Sequence, residues 1–277
     1  MNILVMAGTK DAVNIIKMLS KSENEYSHHN NSLNILATTT TPYGADLAKN
    51  AGASEVISQS MPQEELENLI KKRDIDLLID ATHPFAAQAT NNAIGAKNKC
   101  SIKYIRYERP SIDFSDLKGI HKAVSFEEAG KIACKILKKN KKNVLHLAGV
   151  STIKKVLKNV PREHLVVRVL PNTTSIKKCE EMGLLGSNII AMQGVFSIEL
   201  NQNIMKEYNA GVIISKESGK TGGVLEKVDA ALKLGLDVVI VVRPEIKELN
   251  NEIVVNDLKE LDKHLKSIFV QNNNFSF

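Results

Sequence analysis

Residues Asp80–Ala86 of this chain, with the sequence DATHPFA, bring four kinds of chemically useful side chain into one short segment. They supply a carboxylate, a hydroxyl, an imidazole and an aromatic ring. The apolar run Ile75–Ile79 before them predicts a buried strand, and Ala86–Ala93 after them predicts a helix. Because open α/β sheets bind their ligands at the carboxyl ends of strands, we expect this segment to form part of a site.

The polar groups of this segment each have two interpretations. Asp80 is either a ligand group or a cap for nearby backbone N–H groups. His83 can bind substrate or donate a proton, because imidazole gains and loses a proton near neutral pH, but a histidine before a proline is often only a turn residue. The presence of Thr82, His83 and Phe85 together at one strand end favours the functional interpretation.

The end of the first predicted strand, Ile3–Met6, suits a phosphate group. Gly8 permits a close approach of the backbone, and the helix that begins after Thr9 offers free N–H groups to an anion. Lys10 either adds positive charge there or points into water. The full G-x-G-x-x-G fingerprint is absent, and one glycine is equally consistent with a simple tight turn.

The second predicted strand, Leu33–Ala37, ends in a run of threonines that includes Thr38 and Thr39. An Asp or Glu that would grip the ribose of NADH is missing from that position. Hydroxyl groups tolerate a 2′-phosphate better than a carboxylate does, so the run favours NADPH over NADH. The alternative is that these threonines only end a strand and cap a helix.

The segment Arg106–Pro110 (RYERP) ends the next predicted strand and contains two of the arginines of the chain. Arginine binds carboxylates through two parallel hydrogen bonds. Arg106 and Arg109 are therefore candidate ligands for an acidic substrate. The alternative is an Arg–Glu pair that holds the linker between two domains.

Three strand ends in the second half of the chain carry further donors and cations. They are Gly149-Val150-Ser151, Gln193–Ser197 and Lys216–Gly223, and Arg243 follows the last strand. Flexible turns alone would explain the glycines. Because the three segments are expected at one edge of one sheet, they favour a site for an anionic ligand. The candidate contacts are Ser151, Gln193, Lys216, Ser218, Gly219 and Arg243.

Strands that alternate with helices predict two parallel, doubly wound sheets, an α/β architecture of two Rossmann-like domains with a cleft between them. We place the boundary in Pro110–Gly119, with a nucleotide-binding domain at 1–112 and a substrate domain at 113–277. The predicted strands are 3–6, 33–37, 55–57, 75–79, 103–106, 144–147, 165–170, 189–192, 212–215 and 238–242.

The composition excludes several classes of protein. The net charge of +6 comes from lysines spread along the chain and there is no Trp, so we expect no nucleic-acid partner. Cys100, Cys134 and Cys179 fit no metal-ligand pattern. No apolar stretch approaches the roughly 20 residues that span a bilayer, and the start of the chain lacks the charged region of a signal peptide. We expect a cytoplasmic protein without a membrane partner or a metal site.

The chain resembles the precorrin-6A reductases of corrin biosynthesis, including the cobalt-precorrin-6A reductases. The resemblance runs from Ile3 to about Pro244, and its most specific parts are Asp80–Ala86, Arg106–Pro110, Lys216–Gly219 and Arg243-Pro244. The chain departs from the family pattern at three positions. Ala7 replaces the first glycine of a Gly-Gly-Thr turn, Asp11 replaces a glutamate, and Val195 replaces a proline.

This resemblance implies hydride transfer from NADPH or NADH to a ring double bond of precorrin-6A or its cobalt complex. It implies a nicotinamide near Thr82, His83 and Pro84 and a diphosphate near Gly8, Thr9 and Lys10. His83 and water are the two candidate proton donors. The carboxylates of the tetrapyrrole would bind Arg106, Arg109, Lys216 and Arg243, with Phe85 beside the ring.

The bias of the chain towards Lys, Asn and Ile favours the cobalt-containing substrate, because AT-rich genomes are common in anaerobes. Transient contact with neighbouring enzymes of the pathway is a further expectation. The main alternative is a two-domain protein that binds an anionic small molecule without catalysis. A short-chain reductase is disfavoured because the chain has no Tyr-x-x-x-Lys pair.

Overall fold

A computed structural model describes residues 1–21, 33–114, 117–219 and 222–273, with side chains up to residue 269. The chain forms two compact units. The first comprises Met1–Pro110 and Pro244–Phe277, and the second comprises Ser111–Arg243. Among the described residues, no helix has the length and apolar character needed to cross a membrane.

The first unit is a six-stranded parallel sheet with helices on both faces. Its strands follow the order β12-β5-β4-β1-β2-β3. The order reverses between β1 and β4, which is the switch point where doubly wound sheets bind ligands. The elements are β1 (Asn2–Met6), α1 (Lys10–Lys21), β2 (Asn34–Thr39), α2 (Pro42–Asn50), β3 (Glu55–Ser58), α3 (Gln63–Lys72), β4 (Leu77–Asp80), α4 (Ala87–Cys100), β5 (Lys103–Tyr107), β12 (Ile253–Val255) and α10 (Leu258–Asn273).

The alternation of side chains along β1 explains the two-sided core of this unit. Ile3 and Val5 pack with α1 and α10 on one face of the sheet. Leu4 and Met6 pack with α3 and α4 on the opposite face. A central parallel strand buried on both faces is expected to be continuously apolar, and β1 is. The turn that follows β1 therefore extends from a strand that is packed on both faces.

The second unit repeats this architecture with the order β6-β11-β10-β7-β8-β9, again all parallel. Its switch point lies between β7 and β10. The elements are β6 (Ile120–Ala123), α5 (Phe126–Asn140), β7 (Asn143–His146), α6 (Ile153–Val156), β8 (Leu165–Val169), α7 (Thr173–Glu181), β9 (Ile189–Ala191), α8 (Ile198–Glu207), β10 (Ala210–Lys216), α9 (Val224–Lys233) and β11 (Asp237–Val241). The predicted fold class is confirmed.

The predicted second domain, 113–277, was wrong at its end. Residues from Pro244 onward belong to the first unit, where β12 pairs with β5 and α10 buries Leu261 and Leu265 against β1 and α1. The helix pattern of α10 specified a buried face but not which sheet it would cover. The cleft expected between the domains stays a prediction.

Two strands were not predicted, and both lie at sheet edges. Within the part of the chain that the structure describes, β6 pairs only with β11, and β12 pairs only with β5. β6 has the sequence IHKA and β12 has only three residues, so neither shows the apolar run of a central strand. Edge strands gain their conformation from pairing with a neighbour, which local sequence does not reveal.

Candidate functional site

The turn after β1 lies at the switch point of the first sheet. Gly8 adopts a φ of +112°, a conformation that favours glycine, and a Cβ built on it would meet no atom within 4 Å. Open space therefore faces the backbone here, immediately before α1 begins at Lys10. The free N–H groups of the first turn of a helix stabilise an anion. The phosphate-binding role of this turn stays a prediction.

Thr9 connects this turn to the neighbouring strand end. Its hydroxyl donates a hydrogen bond to the carbonyl oxygen of Ala81 at 2.9 Å and accepts one from the N–H of Ala12 at 3.1 Å. Thr9 therefore caps α1 and joins the ends of β1 and β4. The adjacent Lys10 is exposed.

Arg109 lies beside the same turn, but it faces a carboxylate of the protein. Its Nη2 is 2.5 Å from Oδ2 of Asp11 in the first turn of α1, and both side chains are nearly buried. The ion pair ties the segment after β5 to the start of α1. The predicted role of Arg109 in binding substrate stays a prediction.

A cavity of about 290 Å³ opens at the carboxyl edge of this sheet. It brings the predicted residues Thr38 and Thr39 together with Thr82, from the ends of β2 and β4. Thr38 and Thr39 are themselves buried, whereas Thr40 is exposed. Sequence reasoning missed four polar residues of the lining, which are Gln59, Ser60, Gln88 and Asn92. A signal existed for Gln59 and Ser60, because they follow a predicted strand as the threonines do.

Asp80 accepts five hydrogen bonds beneath this cavity. Its Oδ1 binds Nη1 of Arg106 at 2.9 Å, the hydroxyl of Thr82 at 2.7 Å and the N–H of Thr82 at 3.0 Å. Its Oδ2 accepts from the hydroxyls of Thr90 at 2.7 Å and Tyr104 at 3.1 Å. Burial and the charge of Asp80 raise the pKa of Tyr104, which keeps this phenol a donor. Of the two interpretations of Asp80, the structure supports the cap.

Arg106 was predicted to bind substrate, and as a direct contact that prediction is wrong. Its side chain is 0% exposed and lies between Asp80 and Glu108, with Nε 3.1 Å from Oε2 of Glu108. Arg106 also donates to the hydroxyl of Thr82 at 3.0 Å. The pairing of β4 with β5 places Arg106 opposite Asp80, so carboxylates of the protein contact its Nη1 and Nε atoms. Through Nη1, Arg106 also holds the hydroxyl of Thr82.

His83 and Phe85 form the turn between β4 and α4. The Nδ1 atom of His83 accepts a hydrogen bond from the N–H of Phe85 at 3.2 Å, and the two rings lie 5.8 Å apart. Both side chains are partly exposed, whereas Pro84 is buried. With Nδ1 accepting, the proton of a neutral imidazole resides on Nε2. The contact shows that His83 shapes the turn and leaves its catalytic role a prediction.

The turn after β7 is the counterpart of the Gly8 turn in the second unit. Gly149 has a φ of +86°, with open space where a Cβ would lie. His146, at the end of β7, is buried and its Nε2 lies 2.8 Å from the hydroxyl of Thr152. Burial lowers the pKa of His146 to about 4, so it is neutral at pH 7. Ser151, next to this turn, is exposed.

The end of β10 contains the other predicted residues of this unit. The ammonium of Lys216 lies 5.6 Å from the ring centroid of Phe126, and burial lowers its pKa. Glu217 forms an ion pair with Arg243 and accepts from the N–H of Gly219 at 2.9 Å. Ser218 is buried beside Gly219, and its hydroxyl donates to the carbonyl oxygen of Gly222 at 3.3 Å. Gln193, after β9, is exposed. Their binding roles stay predictions.

Sequence reasoning missed two further cations in the second unit. Arg168 lies within β8, and burial lowers its pKa to about 10. Lys227 lies in α9, and burial, with repulsion from Arg168 and Lys216, lowers its pKa to about 8. A signal for Arg168 existed, since a cation inside an apolar strand is unusual. Lys227 resembles any lysine of an amphipathic helix.

Known proteins similar to this chain agree on one family. The profile of the family described as "Precorrin-6x reductase CbiJ/CobK" matches residues 2–266. The chain is 44% identical to the cobalt-precorrin-6A reductase of Methanothermobacter thermautotrophicus, over 97% of this chain and 84% of that protein. It is 40% identical to the cobalt-precorrin-6A reductase of Methanococcus maripaludis, over 97% of this chain and 100% of that protein.

A solved structure gives independent support for the fold. The structure titled "CobK precorrin-6A reductase" superposes with a TM-score of 0.71 and covers 96% of each chain. At 17% identity, this likeness supports the two-sheet architecture and no finer statement.

Proposed function

The chain belongs to the precorrin-6x reductase family, and from this we propose that it reduces a ring double bond of cobalt-precorrin-6A to give cobalt-precorrin-6B. The nicotinamide cofactor supplies a hydride, a proton completes the addition, and the macrocycle gains two electrons. The observation that carries the proposal is the open Gly8 turn at the switch point of the first sheet, next to Thr82 and His83.

The residues of the first unit fit a nicotinamide nucleotide. Gly8 leaves room for a phosphate against the backbone, and the 12-residue helix α1 begins directly after the turn. The cavity beside it reaches the end of β2, where doubly wound sheets bind the adenosine ribose. The Asp80–Arg106 pair holds Thr82 at the same edge. We assign the diphosphate to Gly8, Thr9 and Lys10.

We propose NADPH as the preferred nucleotide, because the cavity contains threonines and no carboxylate from the end of β2. Thr40 is exposed and lines this cavity. In Thr40→Asp, we expect the NADPH to NADH ratio of kcat/KM to fall by about tenfold, because a like charge near the 2′-phosphate costs roughly 1 kcal/mol or more. Steady-state kinetics with both nucleotides measure the ratio.

The matched control is Thr40→Asn, which has the same shape as Thr40→Asp without the charge. Its NADPH to NADH ratio of kcat/KM should stay near that of the wild-type protein. Equal ratios in Thr40→Asp, Thr40→Asn and the wild-type protein would contradict the assignment of the 2′-phosphate to this end of the cavity.

His83 is our candidate proton donor, with water as the alternative. Asparagine at position 83 can still accept the hydrogen bond from Phe85 but cannot deliver a proton. If His83 is the acid, both His83→Asn and His83→Ala should lower kcat by about 100-fold. Rapid-mixing absorbance of nucleotide oxidation measures this step. Full turnover in His83→Asn would assign the proton to water and leave His83 as a turn residue.

The substrate would bind through its carboxylates to cations of the second unit. Lys216 is the strongest of the predicted contacts, because it ends β10 next to the switch point of its sheet. Arg243 pairs with Glu217, and Arg109 pairs with Asp11. These ion pairs would support the site by fixing the segments that follow β11 and β5.

Anaerobic turnover of cobalt-precorrin-6A and precorrin-6A, each with NADPH and NADH, tests the proposal directly. We expect oxidation of NADPH that requires the macrocycle and is faster with the cobalt form. Binding of both ligands without oxidation would support the alternative of a non-catalytic binding protein and overturn the reductase.

A further inference from the structure

Arg168 is buried and Lys227 is half-buried in the second unit, and neither forms an ion pair with a carboxylate of the described residues. The guanidinium of Arg168 lies 5.0 Å from the ring centroid of Phe196 and donates one hydrogen bond, to Oδ1 of Asn201 at 3.0 Å. Asn201 is held in turn by the carbonyl oxygens of Phe196 and Ser197. This arrangement orients Arg168 but leaves its positive charge uncompensated.

Lys227 lies on α9, and the start of this helix packs against the segment before Phe196. Gly223, at the start of α9, is so close to Val195 that an added Cβ would lie 2.9 Å from its side chain. Within the described parts of the chain, neither Lys227 nor Arg168 forms an ion pair with a carboxylate. Glu226 is the carboxylate that influences Lys227, and its buried Oε2 has no hydrogen-bond partner there.

Such an arrangement is costly for the folded protein by itself. A buried charge without a partner loses hydration, and a second like charge adds repulsion. Burial lowers the pKa of Arg168, and burial together with repulsion from Arg168 and Lys216 lowers the pKa of Lys227. A bound anion would reverse both effects, because it supplies the missing opposite charge.

The place of these cations in the fold also suits a ligand. β8, which carries Arg168, and β10, which ends in Lys216, are the two neighbours of β7 in the sheet. The open turn at Gly149 follows β7, between them. The cations therefore flank the switch point of the second sheet, where ligands of such folds bind.

We propose that Arg168 and Lys227, with Lys216 beside them, form a binding site for one carboxylate of the macrocyclic substrate. This inference rests on the proposed function, because that function supplies a ligand with carboxylates. Arg168 provides a planar fork for the carboxylate, and Lys227 provides a compact charge. The two residues act in binding and orientation, with no part in the transfer of hydride.

The test compares Lys227→Met and Arg168→Gln with Lys233→Met, a control that removes an exposed lysine from the same helix. The dissociation constant of cobalt-precorrin-6A for the full chain without nucleotide is measured by absorbance titration. We expect binding to weaken about ten- to a hundredfold in the first two variants, the size of one lost charge-assisted hydrogen bond. Lys233→Met should bind like the wild-type protein, and NADPH affinity should be unchanged in all three.

Urea unfolding of the ligand-free variants separates a binding role from a structural one. The lowered pKa of Lys227 means that its protonated form destabilises the fold at pH values below about 8, and this cost disappears as the pH rises from there towards the ordinary lysine pKa. Lys227→Met should therefore be at least as stable as the wild-type protein at pH 7. A loss of stability together with unchanged macrocycle binding would overturn the proposal.

The remaining outcomes distinguish a macrocycle carboxylate from a nucleotide phosphate as the bound anion. They also distinguish failure of the anion site from failure of the reductase. Weaker NADPH binding with unchanged macrocycle binding would assign the cations to a nucleotide phosphate and overturn the carboxylate site. If the wild-type protein binds the macrocycle through Lys227 but never reduces it, the anion site stands and the reductase fails. If it reduces the macrocycle and Lys227→Met binds like Lys233→Met, the reductase stands and the anion site fails.

Discussion

Asp80→Asn is expected to lower the free energy of unfolding by about 3–5 kcal/mol, because it leaves the charge of Arg106 without its buried partner. Asparagine has the shape of aspartate, so the effect isolates charge and hydrogen bonding. Asp80 and Arg106 are both 0% exposed, and no water can replace the lost contact without rearrangement. Urea unfolding measures the change.

Glu55→Gln is the control for this variant, because it breaks an ion pair of the same unit at the surface. Arg73 and Glu55 lie 2.6 Å apart but are both more than 40% exposed. Exposed pairs contribute about 0–1 kcal/mol, so this variant should be nearly as stable as the wild-type protein. Similar losses in the two variants would contradict the central role of Asp80.

Asp80→Asn should also affect the site, since Thr82 receives its orientation from Asp80 and Arg106. Where Asp80→Asn remains folded, we expect a lower kcat than in the wild-type protein, measured at a temperature at which both are native. Double substitution with Arg106→Met tests the coupling. Removing both charges should cost less than removing Asp80 alone, because the charge that remains, on Glu108, is partly exposed rather than buried.

Gly8→Val is expected to raise the KM for NADPH by about a hundredfold or more, the size of two lost charge-assisted hydrogen bonds. The φ of +112° at Gly8 disfavours any residue with a Cβ, and the branched side chain would fill the open space that we assign to phosphate. The strain should also lower stability by about 1–3 kcal/mol. Nucleotide titration at saturating macrocycle measures the first effect.

Gly235→Val provides the matched control, because Gly235 also has a positive φ, at +66°, and open space at its Cβ. It follows α9 in the second unit, whereas Gly8 belongs to the first unit. We expect some loss of stability and an unchanged KM for NADPH. An unchanged KM in Gly8→Val would place the diphosphate elsewhere.

The sequence located the Gly8 turn and Asp80–Ala86 at the ends of strands for a local reason. Both segments follow buried strands, and chemistry at a strand end is visible as polar residues after an apolar run. The parallel order of the sheet then brings them to one edge. The same rule predicted the segments at Gly149, Gln193 and Lys216 in the second unit.

Apart from the two unpredicted edge strands, the errors concern partners rather than elements. Arg106 looked like a ligand for a substrate carboxylate, but register places the carboxylate of Asp80 opposite it. The C-terminal strand and helix looked like part of the second domain, but they complete the first sheet. Lys227 gave no signal, because its burial depends on the segment that packs against α9.

The DATHPFA segment shows which properties the local sequence determines and which only the tertiary structure decides. Composition, periodicity and strand-end chemistry determined the two α/β units, the central strands of both sheets and the candidate nucleotide turn, because these depend on neighbours in the chain. Only the tertiary structure decided that Asp80 is a buried anchor for Thr82 and that Arg168 and Lys227 lack a carboxylate partner among the described residues. The reason is physical: the role of a charged group depends on its burial and its opposite charge, and both come from residues far away in the sequence.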